Sequence, residues 1–109
     1  KAYLGLRLNQ LVNEQLSESE FQSRVINLAR ATGWEHYHTH DSRRSPAGFP
    51  DLVLVNPKKQ RTVFRELKRE KGRVSEEQLR WIQMLTATGQ DACIWRPSDW
   101  EQIVADLSS

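Results

Sequence analysis

From residue 19 to 32 the apolar positions Phe21, Val25, Leu28 and Ala29 share one helical face, and Gly33 follows as a stop, so the pattern predicts an amphipathic helix. The period then changes. Trp34 to His40 alternates as a strand does, and Asp41 to Phe49, with Arg43, Arg44, Pro46 and Gly48, reads as a loop. Asp51 to Val55 is a β-branched, apolar run and Thr62 to Lys68 a second stretch of strand composition. Between them, Asn56-Pro57 opens a polar turn that reaches Arg61, so the two runs are expected to pair as an antiparallel hairpin. A helix over 75–88 with Leu79, Ile82 and Leu85 inward closes at Gly89. Asp91 to Arg96 is a fourth strand, and Ser98 to Leu107 a last helix buried through Trp100, Ile103, Val104 and Leu107. Trp34, Trp81, Trp95 and Trp100 are assigned to the core by their phase, not to a base-stacking platform.

The order is αβββαβα, an α/β fold with a mixed central sheet flanked by helices and no internal repeat or linker. Residues 1–16 resist this reading. Leu4, Leu6, Leu8, Leu11, Val12 and Leu16 fit neither a clean strand nor a clean helix, so they are treated as an N-terminal arm, a short helix packing on the core or on a second subunit. Residues 17–109 make up the main domain. The start at Lys1 rather than Met reads as a trimmed beginning.

A chain of 109 residues supports one modest core and suits an open surface acting on a large substrate better than a deep pocket. No apolar run approaches the roughly 18 residues of a membrane span, and a secretory hydrophobic segment is missing, so a soluble intracellular protein is expected. Cys93 stands alone in Ala92-Cys93-Ile94-Trp95, which leaves neither a disulfide frame nor a thiolate zinc site and reads as a small buried hydrophobe. Net charge is only +2, but its distribution is uneven. Between Lys58 and Arg73 eight basic residues meet two acidic ones, a local +6 against −4 elsewhere, a pattern that suits a polyanion as well as it suits a solvated hairpin.

The chemistry concentrates at Pro50-Asp51 and Glu66-Leu67-Lys68. Alternation along the second strand of the hairpin points Glu66 and Lys68 the same way, and antiparallel pairing brings Asp51 and Glu66 to one rim of the sheet. Two convergent carboxylates repel unless a cation lies between them, and such oxygen donors suit Mg²⁺ or Mn²⁺. An ammonium at Lys68 is then placed to orient the attacking water and to stabilise charge growing on phosphoryl oxygens.

Gly48-Phe49-Pro50-Asp51-Leu52-Val53, then Glu66-Leu67-Lys68, Gly72, Ser75, Gln78, Trp81-Ile82, Leu85 and Gly89, resembles the VRR-NUC family of the PD-(D/E)xK nuclease superfamily, over roughly residues 17–107. The resemblance implies a restriction-endonuclease-like core that hydrolyses DNA phosphodiesters with a divalent metal. It also implies that Asp51, Glu66, the Leu67 carbonyl and Glu20 form the metal shell, with Lys68 and Gln78 completing the catalytic set. Stand-alone phage and bacterial members, acting in the cytoplasm, are similar to Holliday-junction resolvases, which implies a homodimer on branched DNA. Arg43, Arg44, His40, Arg69, Lys71 and Arg73 are then expected to hold phosphates without reading sequence. The competing classes are a catalytically silent DNA-binding scaffold and an RNA endonuclease.

Two of these residues have structural readings as well. Ser17-Glu18-Ser19-Glu20 matches a capping box, although the resemblance favours Glu20 as an outer metal ligand. Ser75-Glu76-Glu77-Gln78 repeats the box, and Gln78 is read equally as cap partner and as site residue. His36, His38 and His40 share a strand face in a spacing that could chelate zinc, but contact with the DNA backbone is the preferred functional reading.

Overall fold

The computed structural model describes residues 2–39 and 46–109, with side chains of the first helix from residue 5 onward except that of residue 6. The chain runs α1 (Ala2–Gln15), α2 (Glu18–Ala31), β1 (Glu35–His38), β2 (Leu52–Asn56), β3 (Arg61–Leu67), α3 (Glu76–Ala87), β4 (Asp91–Trp95), a 3₁₀ turn (Pro97–Asp99) and α4 (Trp100–Ser108). The strands form one sheet in the order β1-β2-β3-β4, antiparallel except for the β3–β4 pair, which is parallel. A parallel pair needs a crossover, and α3 supplies it.

Alternation sorts the strands' side chains into two layers. Leu52 and Leu54 of β2, with Val63 and Leu67 of β3, are fully buried and pack with Phe21, Val25 and Ala29 of α2 and Ile103 and Leu107 of α4. Buried Trp34 ties this layer together, its indole N–H donating to the Leu107 carbonyl at 2.9 Å. The other face carries Val53, Phe64 and Glu66 and is met by α3, which packs on β4 and has no buried residue of its own. The expected inward stripe of α3 is therefore only partly realised. Ile82 and Leu85 are half-buried, whereas Leu79 is 46 % exposed. Trp81 and Trp100 are likewise half-buried, unlike Trp34 and Trp95. Cys93 is half-buried against the core, and burial raises its thiol pKa.

The hairpin turn follows from its sequence. Buried Asn56 accepts the Lys59 N–H at 3.1 Å through its side-chain oxygen, and Gln60 takes the left-handed conformation (φ 53°) that lets the chain return into β3. The N-terminal arm is helical. Leu4, Leu8, Leu11 and Val12 recur at helical spacing, which the alternation Leu4-Leu6-Leu8 obscures in the sequence. Leu8, Leu11 and Val12 remain exposed, so that stripe is not consumed by the chain's own core. In α4 Ile103 and Leu107 are fully buried, whereas Trp100 and Val104 are half-buried.

Candidate active site

β2 and β3 pair with Leu52 opposite Arg65, and continuing that register one step sets Asp51 opposite Glu66. Directly opposed residues in an antiparallel pair have Cβ atoms about 5 Å apart, so the two carboxyls meet on the face that α3 partly covers. The Asp51 peptide is held from the β1 side, where Thr39 N–H donates to the Asp51 carbonyl at 2.8 Å and the Thr39 hydroxyl to the Pro50 carbonyl at 3.1 Å. Its side chain is held from β3: Asp51 Oδ2 accepts the Leu67 N–H at 3.1 Å.

Glu66 is only 1 % exposed. Its Oε2 accepts from Gln78 Nε2 at 2.9 Å and lies 3.8 Å from Lys68 Nζ. Among the described residues its Oε1, which is buried, finds no hydrogen-bond partner. Burial first, then the neighbouring charge of Asp51, push the Glu66 pKa up to about 8 against the pull of Lys68. Two adjacent carboxyls are hard oxygen donors, and their chemistry fits Mg²⁺ or Mn²⁺.

Gln78 combines the helix cap with a hydrogen bond to Glu66. As the third residue of α3 its Oε1 accepts the Ser75 N–H at 2.9 Å, closing the capping box, while its Nε2 reaches Glu66. One amide has a donor and an acceptor end, so the cap fixes the oxygen and thereby aims the nitrogen at the site.

The VRR-NUC domain family matches residues 3–98, a span that takes in nearly all of α1 and ends in the 3₁₀ turn. The chain belongs to the VRR-NUC domain family. A solved structure described as a VRR_NUC domain superposes with a TM-score of 0.61 at 21 % identity, covering 83 % of this chain and 97 % of that one, which supports the common fold. The Fanconi-associated nuclease 1 homolog of Schizosaccharomyces pombe is 42 % identical over 53 residues, 49 % of this chain but only 8 % of that protein's length.

Other predicted residues of this VRR-NUC domain fall elsewhere. Glu20 is fully exposed and closes the α2 capping box: Glu20 Oε1 accepts the Ser17 N–H at 3.0 Å, and the Ser17 hydroxyl accepts the Glu20 N–H at 3.0 Å. The Ser17 backbone bond, then the hydroxyl, hold its carboxyl below the usual range. In this structure the carboxylate is engaged by the cap. Among the described residues no three His, Cys, Asp or Glu side chains gather as a metal-binding group, so Glu20 does not join Asp51 and Glu66.

His36 and His38 pair with Leu54 and Leu52, which puts them on the core-facing side of the sheet, opposite the carboxylates. Phosphate contact beside the site is thus not available to them. His40, Arg43 and Arg44 lie outside the described residues. Arg69 and Arg73 are exposed, and exposed Lys71 pairs with Glu14 of α1 at 3.4 Å.

The local excess of basic charge is smaller than its count suggests. Arg61 and the buried Arg65 are engaged by Asp91 and Asp106, with contacts of 2.8 to 3.4 Å. Lys59 is occupied at the C-terminal end of the chain by the carbonyls of Leu107 and Ser109.

Three contributors escaped the sequence reading. Arg96 Nη1 donates to the carbonyls of Arg69, Glu70 and Gly72 at 2.9 to 3.0 Å and braces the basic loop after β3. Nothing local announces a contact that spans more than twenty residues. Thr39 braces Asp51 as described above, and Tyr37, 66 % exposed, stands on the same sheet face as Asp51, opposite Val53. Strand parity from Trp34 was the one signal that could have found Tyr37.

Proposed function

We propose that this VRR-NUC domain is a divalent-metal-dependent DNA endonuclease, structure-selective for branched DNA such as a Holliday junction, and that it acts in replication, repair or recombination. The observation that carries this reading is the opposed Asp51–Glu66 pair, with a buried Glu66 Oε1 that finds no hydrogen-bond partner among the described residues and Lys68 3.8 Å from Glu66. Asp51, Glu66 and the Leu67 carbonyl would hold Mg²⁺ or Mn²⁺. When bound, the cation supplies Lewis-acid activation of water and of the scissile phosphate.

The chain's own residues do the rest. Gln78 fixes one oxygen of Glu66 and leaves the other for the cation. Leu67 N–H fixes Oδ2 of Asp51. Lys68 presents its ammonium beside the Glu66 carboxylate, where it orients the attacking water and stabilises charge on the phosphoryl oxygens. Arg69 and Arg73 on the Arg96-braced loop, with Lys71, take backbone phosphates and so position DNA without selecting sequence. The name of the yeast relative, a Fanconi-associated nuclease 1 homolog, supports a repair context. A junction cut on two symmetry-related strands suits a C2 homodimer, and the exposed Leu8, Leu11 and Val12 of α1 support one.

The test is a cleavage gel with linear, flapped and four-way DNA and their RNA counterparts, each with Mg²⁺, Mn²⁺ or EDTA. Nicks near the branch point of DNA that need the metal, and that disappear in Asp51→Asn and Lys68→Ala while DNA binding and folding persist, are the expected result. Binding without metal-dependent cleavage would make the domain a scaffold, cleavage of RNA alone would change the substrate, and full activity in either variant would remove the mechanism.

A further inference from the structure

The helix that carries Gln78 is held to the site in an unusual way. α3 has no buried residue, so core packing does not fix its first turn. What meets that turn is the segment leading into Asp51. Gly48 adopts φ +96°, and a Cβ there would lie 2.5 Å from the carbonyl carbon of Glu77, 2.6 Å from its oxygen and 2.8 Å from the Gln78 nitrogen. Glycine is therefore required twice, for its backbone conformation and for the room it leaves to the helix.

One turn further along, the Trp81 indole N–H donates to the Ala47 carbonyl at 3.2 Å. The Phe49 ring stands edge-on between Trp81, at 5.2 Å, and Phe64 of β3, at 6.2 Å. Ala47, Gly48 and Phe49 thus clasp the start of α3 on one side and lead through Pro50 to Asp51 on the other.

We propose that Gly48 and Trp81 are positioning residues, a latch that sets α3 so that Gln78 Nε2 reaches Glu66. This rests on the nuclease reading of the site. The latch touches neither carboxylate. It couples the approach segment to Glu66 through a single side chain, so any shift of residues 47–49 moves Gln78 with them. Loosening the latch frees Glu66 Oε2 and leaves a buried carboxyl less well aimed. Displacement of a positioned group by about 1 Å typically costs on the order of 100-fold in rate.

The test combines spectroscopy with a double-mutant cycle. In ¹⁵N-labelled wild-type protein the Gln78 side-chain amide should show the shifted, exchange-protected signals of a bonded donor, and in Gly48→Ala these should move to the free-amide position while the melting transition stays cooperative. In Mg²⁺-dependent cleavage, Gly48→Ala and Gln78→Ala should each lower kcat on the order of 10- to 100-fold with KM for DNA little changed, and the double variant should be no slower than the slower single. Trp81→Phe keeps the ring beside Phe49 and removes the donor to Ala47. It should reproduce the Gly48→Ala effects at smaller size, and it carries the test if Gly48→Ala does not fold. An unmoved Gln78 amide, or losses that multiply in the double variant of an active protein, would overturn the latch alone. A wild type that cleaves nothing would remove the nuclease reading and the latch with it.

Discussion

Glu66 concentrates the residue-scale physics of this domain. A carboxyl with an ordinary pKa near 4.5 is raised to about 8, so the folded state binds a proton that the unfolded chain has already released over that range. The metal-free protein should therefore be most stable below about pH 4.5 as far as this group is concerned, and should lose that stability as pH rises towards 8, by on the order of a few kcal/mol. Glu66→Gln should flatten this part of the pH–stability profile measured by urea unfolding, and a profile as steep as that of wild type would deny Glu66 its proton. The same residue shows what could be read in advance. Strand parity and the turn at Asn56-Pro57 brought Asp51, Glu66 and Lys68 together correctly, because hairpin register is a local property. For Glu20 the structure shows the capping box, which is also local: its bonds to Ser17 turn the carboxylate back to its own helix.

At the scale of elements, the strands and the helices α2, α3 and α4 were legible within a residue or two, since each carries a period and a stop. α1 was not. Its stripe is helical, but burial usually makes a stripe recognisable, and here Leu8, Leu11 and Val12 stay in solvent. The depth of α3 was misread for the opposite reason: Leu79 keeps the period of an inward position, yet the sheet face beneath α3 is only partly covered. If the α1 stripe is the homodimer seam, Leu8→Glu/Leu11→Glu should shift the light-scattering mass from dimer to monomer while the melting transition of the core changes little. A wild type already monomeric at micromolar concentration would remove the dimer.

Across the whole molecule, charge is divided between two regions. On the sheet face opposite the carboxylates, Arg61 and Arg65 are engaged by Asp91 and Asp106 and lie over Trp34 and Trp95. Beyond the carboxylates, Arg69 and Arg73 stand exposed on a loop that Arg96 holds. No count of basic residues could separate these groups, since the partners come from distant segments. Arg69→Ala and Arg73→Ala should each reduce the slope of log affinity for DNA against log salt by about 1, and Arg61→Ala should leave it unchanged. An equal fall for Arg61→Ala would place that arginine on the phosphate path. Among the described residues no helix is long and apolar enough to cross a membrane. The proposed divalent-cation site at Asp51 and Glu66 is addressed without any substrate by calorimetric titration of the purified protein with Mn²⁺. Saturable binding that releases protons, strengthens as pH rises through about 8 and vanishes in Asp51→Asn and Glu66→Gln is the predicted result. Mn²⁺ binding of undiminished affinity in both variants would contradict it.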